Sequence, residues 1–180
     1  MADYQQHTHE FEPVFNKNSR ILILGTFPSV KSREQHFYYG HPQNRFWKVL
    51  ASLTQEPIPV TIPEKKHLLL KHQIAVWDVI QSCEIVGSSD SSIRNVVPAD
   101  IPNILSQTSI SAVFGNGGKA CELYNKYTMP MLTKDLSLAQ ASSSIYAIHK
   151  LPSTSPANAA WSLERLIQTW GQEIQKYLLS

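Results

Sequence analysis

Four short apolar runs constrain this chain more than any other feature. Arg20-Ile21-Leu22-Ile23-Leu24-Gly25 has no polar position between its ends, so neither face of it is suited to water. A strand of that kind is buried on both sides, as strands are in a parallel sheet covered by helices. Ile74–Ile80, Ile110–Gly115 and Ser144–Ile148 read the same way, and segments with helical spacing lie between them. The spacing predicts helices at Asn44–Leu53, Pro63–His72, Asp100–Ser106, Gly117–Tyr127 and from Asn158 onward. Thr61 stands near the cap of the second, and Trp161, Leu166, Trp170, Ile174 and Leu178 form an apolar stripe on the last.

The expected fold is α/β, a three-layer α/β/α arrangement with a central, mostly parallel four-stranded sheet, in a single domain over residues 1–180. In such sheets the ligand site lies beyond the carboxyl ends of the strands. The loops to inspect are therefore Gly25-Thr26-Phe27-Pro28-Ser29, Gly115-Asn116-Gly117-Gly118 and Lys150–Pro156. The stretch Ser82–Ala99, with a serine cluster at Ser88–Ser92, reads as a long polar connection, and the polar Met1–Glu10 reads as a leader.

Composition removes several classes of function. Two cysteines, Cys83 and Cys121, are too few for an iron–sulfur cluster or an all-cysteine zinc site, and both are expected as reduced, buried thiols. His7, His9, His36 and His41 lack the spacing of a metal site, so neither metal nor other cofactor is expected. No stretch approaches the roughly 18 apolar residues of a spanning helix. A cytoplasmic, monomeric protein with no membrane partner is expected. The formal charge of +2 permits a polyanionic partner without demanding one.

Three blocks carry a resemblance. GTFPS at Gly25–Ser29 with YYGHPQNRFW at Tyr38–Trp47 is the first; VWDVI at Val76–Ile80 with GSSDSSI at Gly87–Ile93 is the second; LPSTSPANAAW at Leu151–Trp161 is the third. In order and strand context they resemble the uracil-DNA glycosylase superfamily, and NRFW with PSTSPA resembles its hypoxanthine-DNA glycosylase branch. The resemblance implies a monofunctional glycosylase that hydrolyses the N-glycosidic bond of deaminated bases flipped out of DNA. It departs from the uracil-specific pattern at two points: the acidic water activator is replaced by Thr26 or Phe27, and the second-motif histidine by Leu151. Catalysis would then rest on electrostatic stabilisation and a positioned water. Asn44 is the candidate to hold that water, and the resemblance implies a catalytic asparagine in this region.

The other candidates follow from what a flipped-base pocket needs. Phe27 is a stacking face. Asn116 is a catalytic and base-edge amide, able to donate and accept toward a lactam. His149 is a second base-edge donor if it faces the pocket. Ser29, Ser153, Thr154 and Ser155 are candidates to grip phosphate, and Pro156 and Ala157 to wedge into the duplex. Each has a plainer reading. Asn44 can be a helix cap, Asn116 a left-handed turn residue, and Asp78 a solvated strand end. Phe46, Trp47 and Trp77 read as core. Lys119 and Lys150 are the lysines near strand ends, and neither matches a nucleophile pattern. The competing functions are a mismatch-specific uracil or thymine glycosylase, a nucleotide-binding module using Gly115–Lys119 as an anion nest, and a DNA-binding protein without catalysis.

Overall fold

The computed structural model describes residues 1–135 and 145–178. Its centre is a four-stranded, all-parallel sheet built from β2 (Ile21–Gly25), β3 (Ile74–Asp78), β6 (Ala112–Asn116) and β7 (Ile148–Leu151), in the order β3-β2-β6-β7. Every residue of β2 and β3 is buried, so both faces of the sheet are covered, as the unbroken apolar runs require. The helices are α1 (Val30–Gln35), α2 (Phe46–Thr54), α3 (Ile62–Lys71), α4 (Ile101–Gln107), α5 (Gly118–Leu123), α6 (Met129–Lys134) and α7 (Leu163–Leu178). Phe46, Trp47 and Trp77 are core, as expected. Thr61 caps α3 with a reciprocal capping box, its side chain meeting the Glu64 N–H while Glu64 reaches back.

From β2 the chain moves to one neighbour, β3, and then crosses to the other, β6. Strand ends on either side of such a reversal splay apart and leave a crevice. The loops after β2 and β6 border that crevice.

Five expectations need correction. The run Ile74–Ile80 is two strands: β3 stops at Asp78, and Ile80 opens β4 (Ile80–Ile85). The stretch after it is not a simple connection, because β4 pairs antiparallel with β5 (Arg94–Pro98) and with β1 (Gln5–Thr8), a second, three-stranded sheet. The polar leader is thus a strand. The last parallel strand lies at Ile148–Leu151 rather than Ser144–Ile148, and Ser144 lies outside the described residues. Finally, the helix expected at Gly117–Tyr127 is α5 followed by one wider π turn over Tyr124–Thr128 that leads into α6. Cys83 is buried and its thiol is pushed up to about 11 by desolvation, while Cys121 is half-buried.

Candidate active site

The three motif loops converge on one cavity of about 280 Å³. That is near the lower end of ligand pockets and suits one base better than a whole nucleotide. Its depth is ordered. Phe27, Tyr38 and Asp78 are buried and form the floor; Asn44, Asn116, Ser153 and Ser155 are half-buried along the sides; Ser88, Asp90 and Ala157 are exposed at the lip. All the candidate site residues line this cavity except His149.

Thr154 holds the two asparagines together. Its side-chain hydroxyl donates to Asn44 Oδ1 at 2.9 Å and accepts from Asn116 Nδ2 at 2.9 Å, and its backbone N–H donates to Asn116 Oδ1 at 3.0 Å. A backbone N–H can only donate, so the orientation of the Asn116 amide is fixed by that bond. Asn44 is fixed the same way, since its Oδ1 also accepts from the Phe46 N–H at 3.0 Å. The cap position of α2 is Arg45, one residue later than the plainer reading has it; Asn44 accepts the N–H of the first helical residue from just outside the helix and at the same time lines the cavity. With Oδ1 doubly occupied, Asn44 offers its Nδ2 hydrogens to the cavity. Asn116 is not a left-handed turn residue; that conformation falls to Gly117, at φ 96°.

One consequence corrects the sequence reading. Thr154 is fully buried with its hydroxyl engaged on both sides, so it is a linker between motifs and has no free donor for phosphate. Asn116 turns one Nδ2 hydrogen and one Oδ1 lone pair on Thr154, which leaves its second hydrogen and second lone pair for the cavity that it lines. Ser29 also has a local task. Its hydroxyl donates to Ser32 Oγ and accepts the Ser32 N–H, capping α1. Ser153 and Ser155 accept from the Ser155 and Ala157 N–H groups, which leaves each hydroxyl hydrogen available at the rim.

His149 lies elsewhere. It sits inside β7, exposed, with its ring 5.4 Å from Phe114, whose other ring neighbour is Tyr177 of α7. The later start of the strand explains this, since it places His149 within the ladder and not in the loop beyond it. The glycines at Gly115–Gly118 are accounted for by packing. A Cβ at Gly117 would lie 3.2 Å from Ser153 Cβ, so glycine lets the third motif approach β6.

Several residues of the site take roles that the sequence reading does not assign, and one, Asp78, corrects it. Arg45 staples the third motif: its guanidinium donates to the carbonyls of Thr154, Ser155, Asn158 and Trp161, and its backbone N–H also meets Thr154 O. Asp78 is a buried carboxylate, not a solvated one, and its Oδ2 lies 2.8 Å from His9 Nε2. Tyr39 adopts a left-handed backbone at φ 53° and stacks on Phe46 at 3.9 Å. Burial and the Asp78 charge push its hydroxyl well above the ordinary phenol range. The Asn116 amide counters this in part, yet no bond of hydrogen-bonding geometry reaches Tyr39 Oη. Asp90 accepts from Thr26 Oγ1 at 2.9 Å. Although much of Asp90 is open, its carboxyl is crowded at the lip, and this desolvation, with Asp78 nearby, raises its pKa. A signal existed for β4, the strand that follows Asp78, because Ile80-Gln81-Ser82-Cys83-Glu84-Ile85 nearly alternates as a half-buried strand does. For Asp78 there was none, since its partner is 69 residues away.

The sequence pattern described as the uracil DNA glycosylase superfamily matches residues 12–175, nearly the whole chain. This chain belongs to that superfamily. Two relatives are named hypoxanthine DNA glycosylase. The one from Methanosarcina barkeri (strain Fusaro / DSM 804) is 36% identical over 86 residues, 47% of this chain and 54% of its own length. The other, from Methanosarcina acetivorans, is 35% identical over 114 residues, 62% of this chain and 72% of its own length. The match thus spans about half of the first relative. The solution NMR structure of a provisionally assigned uracil DNA glycosylase from Methanosarcina acetivorans superposes with a TM-score of 0.71 at 28% identity, covering 93% of this chain and 96% of that one. Membership of the superfamily thus agrees with the sheet order, the strand-end pocket and the motif loops.

Proposed function

We propose that this protein is a monofunctional DNA glycosylase, one domain over residues 1–180, that removes deaminated bases, hypoxanthine first, from DNA. The observation that supports this most is the linked set Asn44–Thr154–Asn116, which ties the first and last superfamily motifs together beside a base-sized cavity with an aromatic floor. The names of the relatives support hypoxanthine as the lesion, and that of the structural relative supports uracil as the second candidate.

The chemistry follows from which atoms are left over. Breaking the glycosidic bond leaves negative charge on the base and positive charge on the sugar. Asn44 Nδ2 donates to the oxygen of a water and leaves a lone pair for the anomeric carbon. That amide is a donor and cannot take the proton, which passes from the adduct to the departing base anion or to solvent once the C–O bond has formed, so the rate comes from placement and from stabilising charge. Phe27 stacks on the base. Ser153 and Ser155 hold phosphate at the rim, with Pro156 and Ala157 set to enter the duplex. The cavity's lining includes no lysine among the described residues, which favours hydrolysis over a Schiff base. The substrate is DNA, the acting form is a monomer and the compartment is the cytoplasm.

The test is incubation with duplexes containing deoxyinosine, deoxyuridine or neither, followed by detection of free base and, separately, of strand breaks. Free hypoxanthine with intact strands before alkali is the expected outcome. Binding of every duplex with no base released would make this a DNA-binding protein of the same fold.

A further inference from the structure

Two polar groups that line the cavity lie outside the hydrogen bonds joining Asn44, Thr154 and Asn116. Tyr39 Oη is enclosed and no hydrogen bond of good geometry reaches it, although the Asn116 amide lies near enough to favour its ionised form. An orphaned buried donor is rare enough to need a cause. Asp78 is the second. Its Oδ2 is taken by His9, while Oδ1 accepts a hydrogen bond from no described residue. These groups are neighbours: a Cβ built on Gly25 would lie 2.4 Å from Asp78 Oδ1 and 3.2 Å from Tyr39 Oη, so both oxygens flank one point beside β2. Only a residue without a side chain leaves that point open. The pair is held from outside the family pattern as well. His9, with its main-chain N–H on Gln81 O at 2.7 Å, precedes the stretch that matches the superfamily.

We propose that Asp78 Oδ1 and Tyr39 Oη together read the lactam edge of the flipped base, the carboxylate accepting its ring N–H and the phenol donating to the adjacent carbonyl oxygen. This rests on the glycosylase reading above and names the groups that choose its substrate. An ionised carboxylate only accepts and a protonated phenol donates, so the pair is an acceptor beside a donor. Hypoxanthine and uracil present the complement, a ring N–H beside C=O. Adenine and cytosine present the reverse, a ring lone pair beside an amino group. Asn116, with one hydrogen and one lone pair already on Thr154, is left to hold a further edge of the base from the side of the cavity. Depth agrees, because a base enters ring first and meets the floor with the edge farthest from its sugar. His9 adds a restriction: by occupying Oδ2 it leaves the carboxylate a single acceptor, which fits one N–H and not two adjacent ones.

The experiment compares the parent, Tyr39→Phe and Asp78→Asn on duplexes carrying hypoxanthine, unsubstituted purine or an abasic site. Unsubstituted purine keeps the rings and lacks both lactam groups. The parent is expected to bind the hypoxanthine duplex over the purine duplex by about 10- to 100-fold. Both variants should compress that preference and slow single-turnover release of hypoxanthine to a similar degree, with abasic-duplex binding and melting unchanged. Equal parental affinity for hypoxanthine and purine overturns the proposal without relying on any variant. So does a parental preference kept by both variants, or a loss of abasic binding in step with lesion binding, which would mark a structural role. A parent that releases no base defeats the glycosylase reading instead, and the binding preferences still decide this one.

Discussion

The loop over residues 152–161 and the segment over residues 86–93 border the same cavity, yet they are held in opposite ways. The first is stitched to distant parts of the chain. Arg45 gathers four of its carbonyls, Asn116 holds Thr154 from β6, and Trp170 Nε1 donates to Pro152 O from α7. The second is held mostly by its own serines. Ser92 Oγ accepts the Val86 N–H and donates to Ser89 O, and Ser89 and Ser91 share a hydroxyl contact at the surface. Its ties outward are Asp90 to Thr26, Ser88 to the Val30 N–H and Gly87 O to Arg33. Positioning an attacking water tolerates little error in geometry. The proposed function puts the chemistry on the stitched side, where Thr154 joins Asn44 to Asn116, while the looser side borders the lip.

Removing the staple is the largest way to break this contrast. Arg45→Ala leaves half-buried carbonyls without a donor and should destabilise the protein by about 2–3 kcal/mol, with base release lost alongside. Arg45→Lys should recover little, since one ammonium cannot replace a planar fork across four acceptors. Urea unfolding of both variants checks this. If Arg45→Ala unfolds like the parent, the loop is held by something other than the guanidinium.

Asp90 sharpens the contrast from the other side. Its folded pKa is raised, so the folded state binds that proton more tightly than the unfolded chain does. Its contribution to stability is therefore fullest below the unfolded carboxylate range and is lost as pH rises through the folded value. Asp90→Asn should be slightly more stable than the parent at neutral pH, with the gain shrinking in acid. Melting at both ends of that range decides it, and a variant less stable at neutral pH would mean that the Thr26 bond outweighs the burial. Ser88→Ala is the smallest step. It removes one exposed acceptor and should change stability by less than about 0.5 kcal/mol, with no change in base release. A marked loss of activity would move catalysis toward this lip.

The same two regions show what could be read from the sequence. The stitched loop was legible because apolar runs locate parallel strands, the strand-end rule locates the loops, and the motif blocks name residues within them. Asn44, Asn116, Phe27, Ser153 and Ser155 were placed at the cavity on that basis. The rule fails where strand boundaries shift. Moving the last strand to Ile148–Leu151 took His149 out of the loop and put it beside Phe114. The rest was hidden because it depends on long-range pairing. Gln5–Thr8 is polar throughout and becomes a strand only against Ile80–Ile85. Asp78 looks like a strand end facing water until His9 covers it. Thr154 looked like a phosphate ligand because a short hydroxyl beside other hydroxyls gives no hint that it is enclosed.

Whether catalysis runs through one linked set of side chains is tested most directly by a double-mutant cycle. Asn44→Ala, Thr154→Val and the double variant are compared with the parent in single-turnover release of hypoxanthine from duplex DNA. Asn44→Ala should slow release by about two to three decades while lesion binding stays near parental. Thr154→Val keeps the shape and removes the shared hydroxyl, so it should slow release by misplacing Asn44, and the double variant should be scarcely slower than Asn44→Ala alone. Losses that simply add would contradict the linked set, and an unimpaired Asn44→Ala would leave that residue a helix cap.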